Sequence, residues 1–431
     1  MRLRNKIKKS AKTRSGRRTA SAVRVGKNRK RRSRSRSFPV AIVPIQRKPS
    51  TADQPSFMKD PALLPGVNLV GLMYHEMGIG ESCRLAARAL STTDVPFGML
   101  NLPLNTVIRE TDFSWQHREV KDPVYNTNII HLNADTLHYA SSHFGDLLFG
   151  RRYNIGYWHW ELPDFPEEFM GGFDLLNEVW VPSSFVQDSI SRKSKVPVVR
   201  IPHGVEVSYR PDMGRGTFGL PDERFLFLSM FDTQSYMRRK NPEGAIQAFK
   251  MAFDRDDTSA GLIVKLNNAE ARPGDLENVR QLVDGYKNIY ILDQVLSREE
   301  VNSLIHCTDS FVSLHRAEGF GLGLAEAMAL GKPVIGTDWS GNTDFMNPMN
   351  SCLVKYTLSK VGEDWGPYKG YQTWAEPDLE HAASHMKKLV ELPEWRNSIA
   401  AMGKETIETH FSPRAAGELI KQRLHRLNMI G

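Results

Sequence analysis

Residues 310–337 read SFVSLHRAEGFGLGLAEAMALGKPVIGT. An apolar run over 310–314 ends in a glycine-rich turn. A short, almost wholly apolar helical pattern follows over 322–330, and a second apolar run starts at 333. Gly331 just past the helix and Pro333 beyond it form a normal stop signal. The same alternation extends outward on both sides. Upstream lie apolar runs at 225–231 (FLFLSMF), 261–266 (GLIVKL) and 288–292, with helical patterns at 241–253, 275–286 and 297–307 between them. Asn241 reads as an N-cap, Pro242 as a first-turn proline and Glu243 as a first-turn acid, and Ile246, Phe249 and Phe253 fall on one face. Alternation of this kind implies parallel strands with helices packed on both faces.

The first half repeats the pattern less cleanly. Strands are predicted at 67–73, 97–100, 128–132, 153–159, 178–181 and 197–201, and helices at 80–91, 165–176 and 183–193, with 102–127 irregular. The expected fold is therefore α/β, two doubly wound domains that meet near residues 202–222. At 431 residues the chain has room for two or three domains.

Charge divides the chain differently. Residues 1–52 hold 19 Lys and Arg and no acid, which leaves 38 basic against 49 acidic residues in the other 379. A mildly acidic globule thus carries a basic arm, and the arm alone produces the net charge of +8. Residues 1–37 lack the apolar surface to offset their chain entropy and read as disordered, and 46–65 read as a Pro-rich linker. Arg29, Lys30, Arg31 and Arg32 could touch anionic lipid or nucleic acid, although a solvated tail is the plainer reading. No run reaches the ~18 apolar residues of a membrane span. Cys83, Cys307 and Cys352 lie too far apart for a disulfide framework or a zinc spacing, which suits a reducing compartment.

In doubly wound folds ligands sit beyond the carboxyl ends of the strands, so the loops after strands carry the chemistry. The turn 315–323 puts three glycines before a helix N-terminus, where backbone N–H groups and the helix dipole favour a phosphate or diphosphate. Glu318 precedes those glycines and Glu326 follows within the helix. Two acids near a diphosphate should point instead at neutral hydroxyls, sugar at one end and ribose at the other. The segment Ser235–Pro242 follows a strand and supplies a hydroxyl, three cations and a second helix N-terminus. Lys240 is its best phosphate candidate, and Lys265 at the end of the next strand is a weaker one.

These residues resemble glycosyltransferase family 4. The run 318–335 (EGFGLGLAEAMALGKPVI) with SGNTDFM after it is similar to that family's donor-binding signature, and Arg239-Lys240-Asn241-Pro242 to its basic phosphate segment. GVNLVGLMYHEMGIGES (66–82) with its Gly78 and Gly80 loop, IHLNAD (130–135) and YWHWELP (157–163) resemble N-terminal segments of polysaccharide-building members. The resemblance implies the GT-B architecture, two Rossmann-like domains facing across a cleft. Residues 66–205 would form the acceptor side and 206–411 the donor side, with the last helix, 412–428, packing back. It implies a nucleoside-diphosphate sugar donor, retention of configuration, no cofactor and no metal. The acceptor would be a glycan or a lipid-linked glycan. Glu318 would hold the sugar, Gly319, Phe320, Gly321 and Leu322 would face sugar and diphosphate, and Glu326 would hold the ribose. Lys240 would neutralise the leaving diphosphate, and the base would lie near Val295 and Leu296.

One departure stands out. Many members place a Gly-Arg pair after the first strand of this half, whereas this chain has Ser229-Met230-Phe231-Asp232. Ser235, Arg238 or Arg239 is expected to take that part. His159, beyond an apolar strand, is a candidate to face the reacting carbon through its backbone or ring, and Glu161 lies two residues on. His131 and His203 are expected to pack near the cleft without chemistry, Trp158 and Trp160 to pack core and rim, and Asn342 and Asp344 to form a turn. The expected location is cytoplasmic, with peripheral contact on the inner face of a membrane through the arm. The rivals are another GT-B enzyme, such as a nucleotide-sugar epimerase, and a nucleic-acid or membrane binder acting through the arm.

Overall fold

The structure is a computed structural model describing residues 59–104 and 109–431. The basic arm, and with it the expectations for residues 1–58, lies outside the described residues. Six short apolar runs of the first half pair as strands: β1 (Leu64–Gly71), β2 (Phe97–Asn101), β3 (Tyr125–His131), β4 (Tyr153–Tyr157), β5 (Glu178–Val181) and β6 (Val198–Arg200). All neighbours are parallel, in the order β2-β1-β3-β4-β5-β6. Helices α1 (Gly78–Ser91), α2 (Leu137–Phe144), α3 (Asp146–Phe149) and α4 (Ser184–Ser191) connect them.

Sequence reading passed over α2 and α3, which lie in polar, histidine-rich sequence with only Leu137, Ala140 and Leu148 buried. The helix expected at 165–176 is a 3₁₀ helix, Glu167–Leu175. Its Gly171-Gly172 pair disfavours an α-helix, and a Cβ on Gly172 would stand 3.0 Å from the Trp158 ring. The register of this sheet is fixed by a buried polar ladder. Asn68 donates to Asn128 at 2.8 Å and Asn128 to Asn154 at 2.7 Å, three side chains at matched positions on β1, β3 and β4. A shift of one residue would leave all three amides unpaired in the core.

The second sheet contains β7 (Phe225–Asp232), β8 (Ala260–Asn267), β9 (Ile289–Leu292), β10 (Ser310–Ser313), β11 (Val334–Thr337) and β12 (Cys352–Val354), again all parallel, in the order β12-β11-β10-β7-β8-β9. Around it pack α5 (Met237–Lys240), α6 (Pro242–Ala252), α7 (Pro273–Val283), α8 (Arg298–Cys307) and α9 (Leu322–Ala329). The runs at 225–231, 261–266, 310–314 and 333–337 thus form this sheet. Strand β12 was not anticipated. Neither was the antiparallel hairpin β13 (Tyr356–Lys360) and β14 (Thr373–Pro377), whose mixed polar sequence lacks a buried-strand signal.

The chain closes with α10 (Leu379–Glu391), α11 (Pro393–His410) and α12 (Pro413–Arg426). Helix α12 packs on α1 of the first half, and the Arg423 guanidinium clasps the fully buried Glu178 of β5. The fold is α/β with two parallel six-stranded sheets. Among the described residues, no helix is long and apolar enough to cross a membrane.

Candidate active site

In the second sheet the chain runs from β7 outward through β8 and β9, then returns to β10 on the other side of β7 and proceeds through β11 and β12. The loops after β7 and β10 therefore face one crevice, where the strand order reverses. The loop after β7 holds the basic segment, and the loop after β10 holds the glycine-rich turn. Asn241 fixes the two together. With φ 53°, in the left-handed region, it caps α6 by accepting from Gly244 N, and its Nδ2 donates to the Leu314 carbonyl at 2.8 Å. This places Lys240 beside Glu318, with Nζ and Oε1 2.5 Å apart.

Glu318 is largely buried, its side chain 12 % exposed. Burial alone would raise its pKa, yet Lys240 and Arg239 hold it down to about 2, so it is a carboxylate. Arg239 is buried and turned inward. Its Nη1 donates to the Ala317 carbonyl at 2.8 Å and lies 3.4 Å from Glu318, and its Nη2 lies 3.9 Å from Glu161. Burial opposes its charge, but Tyr368, Glu161 and Glu318 together raise its pKa. Arg239 is, with Ser235 and Arg238, one of the residues expected to contact a diphosphate. Here it is a buried brace between the halves, and Tyr368 of the β13–β14 hairpin donates to Glu161 at 2.9 Å to complete it.

The turn itself is held rigidly. Glu318 N donates to Ser340 Oγ and Gly341 N to the Glu318 carbonyl, each at 2.9 Å. Gly321 sits at φ 92°, a conformation that suits glycine, and opens α9. Gly319 and Phe320 are buried and Leu322 is half-buried at the helix start. One turn into α9, the buried Glu326 accepts from the Arg298 guanidinium of α8. Arg298 in turn acts across the crevice. With Arg84 and Arg88 of α1 it holds the buried Glu81 below the usual carboxylate range, against the burial that raises it.

The remaining candidates are more dispersed. Lys265 is buried, donates to the Leu266 carbonyl at 2.7 Å, and is pushed by burial down to about 8. Ser235 is half-buried in the turn after β7, its N–H on the Asp232 carbonyl. Val295 is exposed and Leu296 half-buried in the loop before α8. Asp232, the last residue of β7, accepts from Asn268 at 2.8 Å and from the backbone N–H of Gln234. Across the crevice, Gly78 is exposed at the start of α1, whereas Gly80 is a packing residue: a Cβ there would lie 2.5 Å from the His75 carbonyl. Asn342 bonds His315 and the Thr337 carbonyl, and Asp344 accepts from Ser184 N and Arg200 across the halves, so both do more than shape a turn.

The facing wall carries rings. His131 bonds Ser82 at 2.9 Å and stacks on Tyr157, whose hydroxyl reaches His203 at 3.3 Å. His203 meets His159 at 3.0 Å and packs perpendicular to the Phe320 ring of the glycine-rich turn, 5.0 Å between centroids. Burial lowers His131 to about 3 and His159 to about 4. Sequence reading does not single out Arg298 or Tyr368 for the site, nor Ser183, whose hydroxyl donates to the Gly319 carbonyl, nor the His203 contact. An arginine opening a helix and a tyrosine in a polar hairpin carry no local signal; only the returning chain puts them at the crevice. Among the described residues no cluster of His, Cys, Asp and Glu side chains has the makings of a metal site.

Residues 223–359 match the family model described as "Glycosyl transferases group 1". No curated protein matches the chain by sequence. Among solved structures, the chain is similar to the Anabaena protein HepE in complex with UDP and glucose, with 13% identity over 84% of this chain and 99% of that one and a TM-score of 0.61. It is also similar to sucrose-phosphate synthase from Thermosynechococcus elongatus (16%, 84% and 98%, TM-score 0.61) and to a glycosyltransferase from Rickettsia africae (13%, 84% and 98%, TM-score 0.59). These likenesses identify the architecture as GT-B.

Proposed function

We propose that the chain is a retaining glycosyltransferase of family 4 that moves a hexose-type sugar from a nucleoside diphosphate to a glycan or lipid-linked glycan. The observation that carries this reading is the contact between Lys240 and Glu318 at the reversal point of the second sheet, beside the N-terminus of α9. Both acids assigned to the donor already face cations, Glu318 on Lys240 and Glu326 on Arg298. A bound diphosphate takes over the lysine, which releases Glu318 to the sugar hydroxyls. Ribose hydroxyls compete with Arg298 for Glu326 in the same way.

When the sugar–phosphate bond breaks, charge grows on the leaving diphosphate, and Lys240 with the amides opening α9 stabilises it. The chain supplies these positive charges itself, so the reaction is proposed to need no metal or cofactor. In this reading residues 66–205 are the acceptor-side domain, 206–411 the donor domain, and the base lies near Val295 and Leu296. The family match over the donor half supports the reading. UDP-glucose is the first donor to try, because a HepE structure holds it.

Calorimetry and transfer assays test the assignment. Glu318→Ala and Glu326→Ala are expected to keep the fold and lose transfer at least a hundredfold, the first weakening UDP-glucose and sparing UDP, the second weakening both. Full turnover in either variant would remove the donor assignment. EDTA is expected to leave turnover unchanged, and strong metal dependence would contradict the cation argument.

A further inference from the structure

His159 and His203 face each other through their Nε2 atoms at 3.0 Å. His203 is buried and His159 half-buried, and both are neutral at ordinary pH, since burial disfavours their charged forms. Each neutral ring has one N–H and one lone pair. Tyr157 determines which nitrogen holds the proton. Its hydroxyl donates to the Ile201 carbonyl at 2.7 Å, so its one proton is committed, and its oxygen can only accept from His203 Nδ1 at 3.3 Å. His203 therefore carries its proton on Nδ1 and leaves Nε2 bare. The 3.0 Å contact then requires the proton of His159 on Nε2.

What remains is the lone pair on His159 Nδ1. That atom is buried and meets no donor among the described residues. The segment cannot turn to find one, because His159 N donates to Asn133 Oδ1 at 2.9 Å. The residue packs against the glycine-rich turn, where a Cβ on Gly319 would stand 3.8 Å from His159 Cβ. We propose that Tyr157 and His203 are positioning residues that fix His159 as a hydrogen-bond acceptor, so that the group it takes from a bound ligand is a neutral sugar hydroxyl rather than a carboxylate or phosphate oxygen. The tautomer lock stands on the hydrogen-bond geometry and the burial of the two rings; the identity of the ligand rests on the proposed function.

Ring-nitrogen NMR on the full chain, with ¹⁵N-labelled histidine and the His159 signals assigned by their loss in His159→Gln, reads the lock directly. Wild type is expected to show His159 with bare Nδ1 and protonated Nε2. His203→Phe removes the acceptor and is expected to give a mixture of His159 tautomers. It should weaken UDP-glucose about tenfold while leaving UDP unchanged. His203→Gln, which can accept and donate at the same points, is expected to restore both readouts. UDP-glucuronate, with a carboxylate on its sugar, is expected to bind wild type at least tenfold more weakly than UDP-glucose. If His203→Phe does not fold, Tyr157→Phe carries the same test by freeing the His203 proton. A protonated His159 Nδ1 in wild type, or an unchanged tautomer in the folded variants, overturns the lock. Equal binding of the two sugars overturns the hydroxyl assignment. If wild type bound no UDP-sugar at all, the proposed function would fall while the tautomer measurement still decided the lock.

Discussion

The crevice wall made by the loops after β7 and β10 carries formal charges in pairs, whereas on the facing wall the rings at the ends of β3, β4 and β6 form a neutral row, set apart from the Glu81–Arg84 pair of α1. On the first wall Lys240 and Arg239 both stand within ion-pair distance of Glu318, and Arg298 is on Glu326. On the second, His131, Tyr157, His203 and His159 are linked by hydrogen bonds and stacking with no charge among them. Buried charge survives only when paired, because desolvation otherwise exceeds what attraction returns. A neutral row needs only matched donors and acceptors. The difference assigns the parts of the proposed donor: the diphosphate belongs to the first wall, and groups that merely hydrogen-bond belong to the second.

The hardest test of that contrast is Lys240→Met. It removes the cation nearest Glu318 and is expected to lower kcat/KM about 1000-fold, on the order of 4 kcal/mol of transition-state stabilisation. His159→Gln, on the neutral wall, is expected to cost no more than about tenfold, the scale of one hydrogen bond. Steady-state kinetics with UDP-glucose decide, and a reversed ranking would break the comparison.

Acid separates the walls by stability. His159 falls from 6.5 to about 4 in the folded chain and His131 to about 3. The unfolded chain therefore binds the extra protons, and stability is complete above about pH 6.5 and declines as pH falls toward those folded values. Once both states are protonated, the loss is on the order of 3 kcal/mol for His159 and on the order of 5 kcal/mol for His131. Glu318, lowered to about 2 in the folded chain, keeps its contribution down to about pH 4.5 and loses it only below. Urea unfolding from pH 8 to 3 is expected to show the ring wall failing first. His159→Gln should reduce the slope between pH 6 and 5 by about 1.4 kcal/mol per pH unit, one proton's worth. An unchanged slope would mean that His159 is charged in the native chain.

The contrast between walls also explains what was legible. Both sheets could be read because fully buried parallel strands are short, continuous apolar runs, as in FLFLSMF over 225–231. The position of Lys240 and Glu318 at the crevice was legible because each lies in the loop that follows such a run and leads into a helix. Arg298 was not, since its role comes from meeting Glu326 of α9, 28 residues away. The turn of Arg239 inward was hidden for the same reason: Glu161 and Tyr368 reach it from distant segments. His203 looked inert because a lone histidine after a strand has no pattern. Its bond to His159 exists only once β4 and the linker after β6 lie side by side.

The smallest effect is expected where the two walls touch. Ser183 caps α4 by accepting from Val186 N, and its hydroxyl donates to the Gly319 carbonyl at 2.7 Å. One buried oxygen thus opens a helix of the ring wall and holds the turn of the charged wall. Ser183→Ala removes both bonds and leaves the carbonyl without that donor. The cap alone is worth about 1 kcal/mol, and the buried carbonyl adds about 1 kcal/mol more. Thermal unfolding is expected to show a loss of about 2 kcal/mol. Ser183→Thr, which keeps the hydroxyl, is expected to recover most of it. If the hydroxyl also sets the position of the glycine-rich turn, UDP-glucose affinity falls a few-fold in the alanine variant and returns with threonine. A stability loss with no change in affinity would instead show that the charged wall keeps its shape without help from the neutral one.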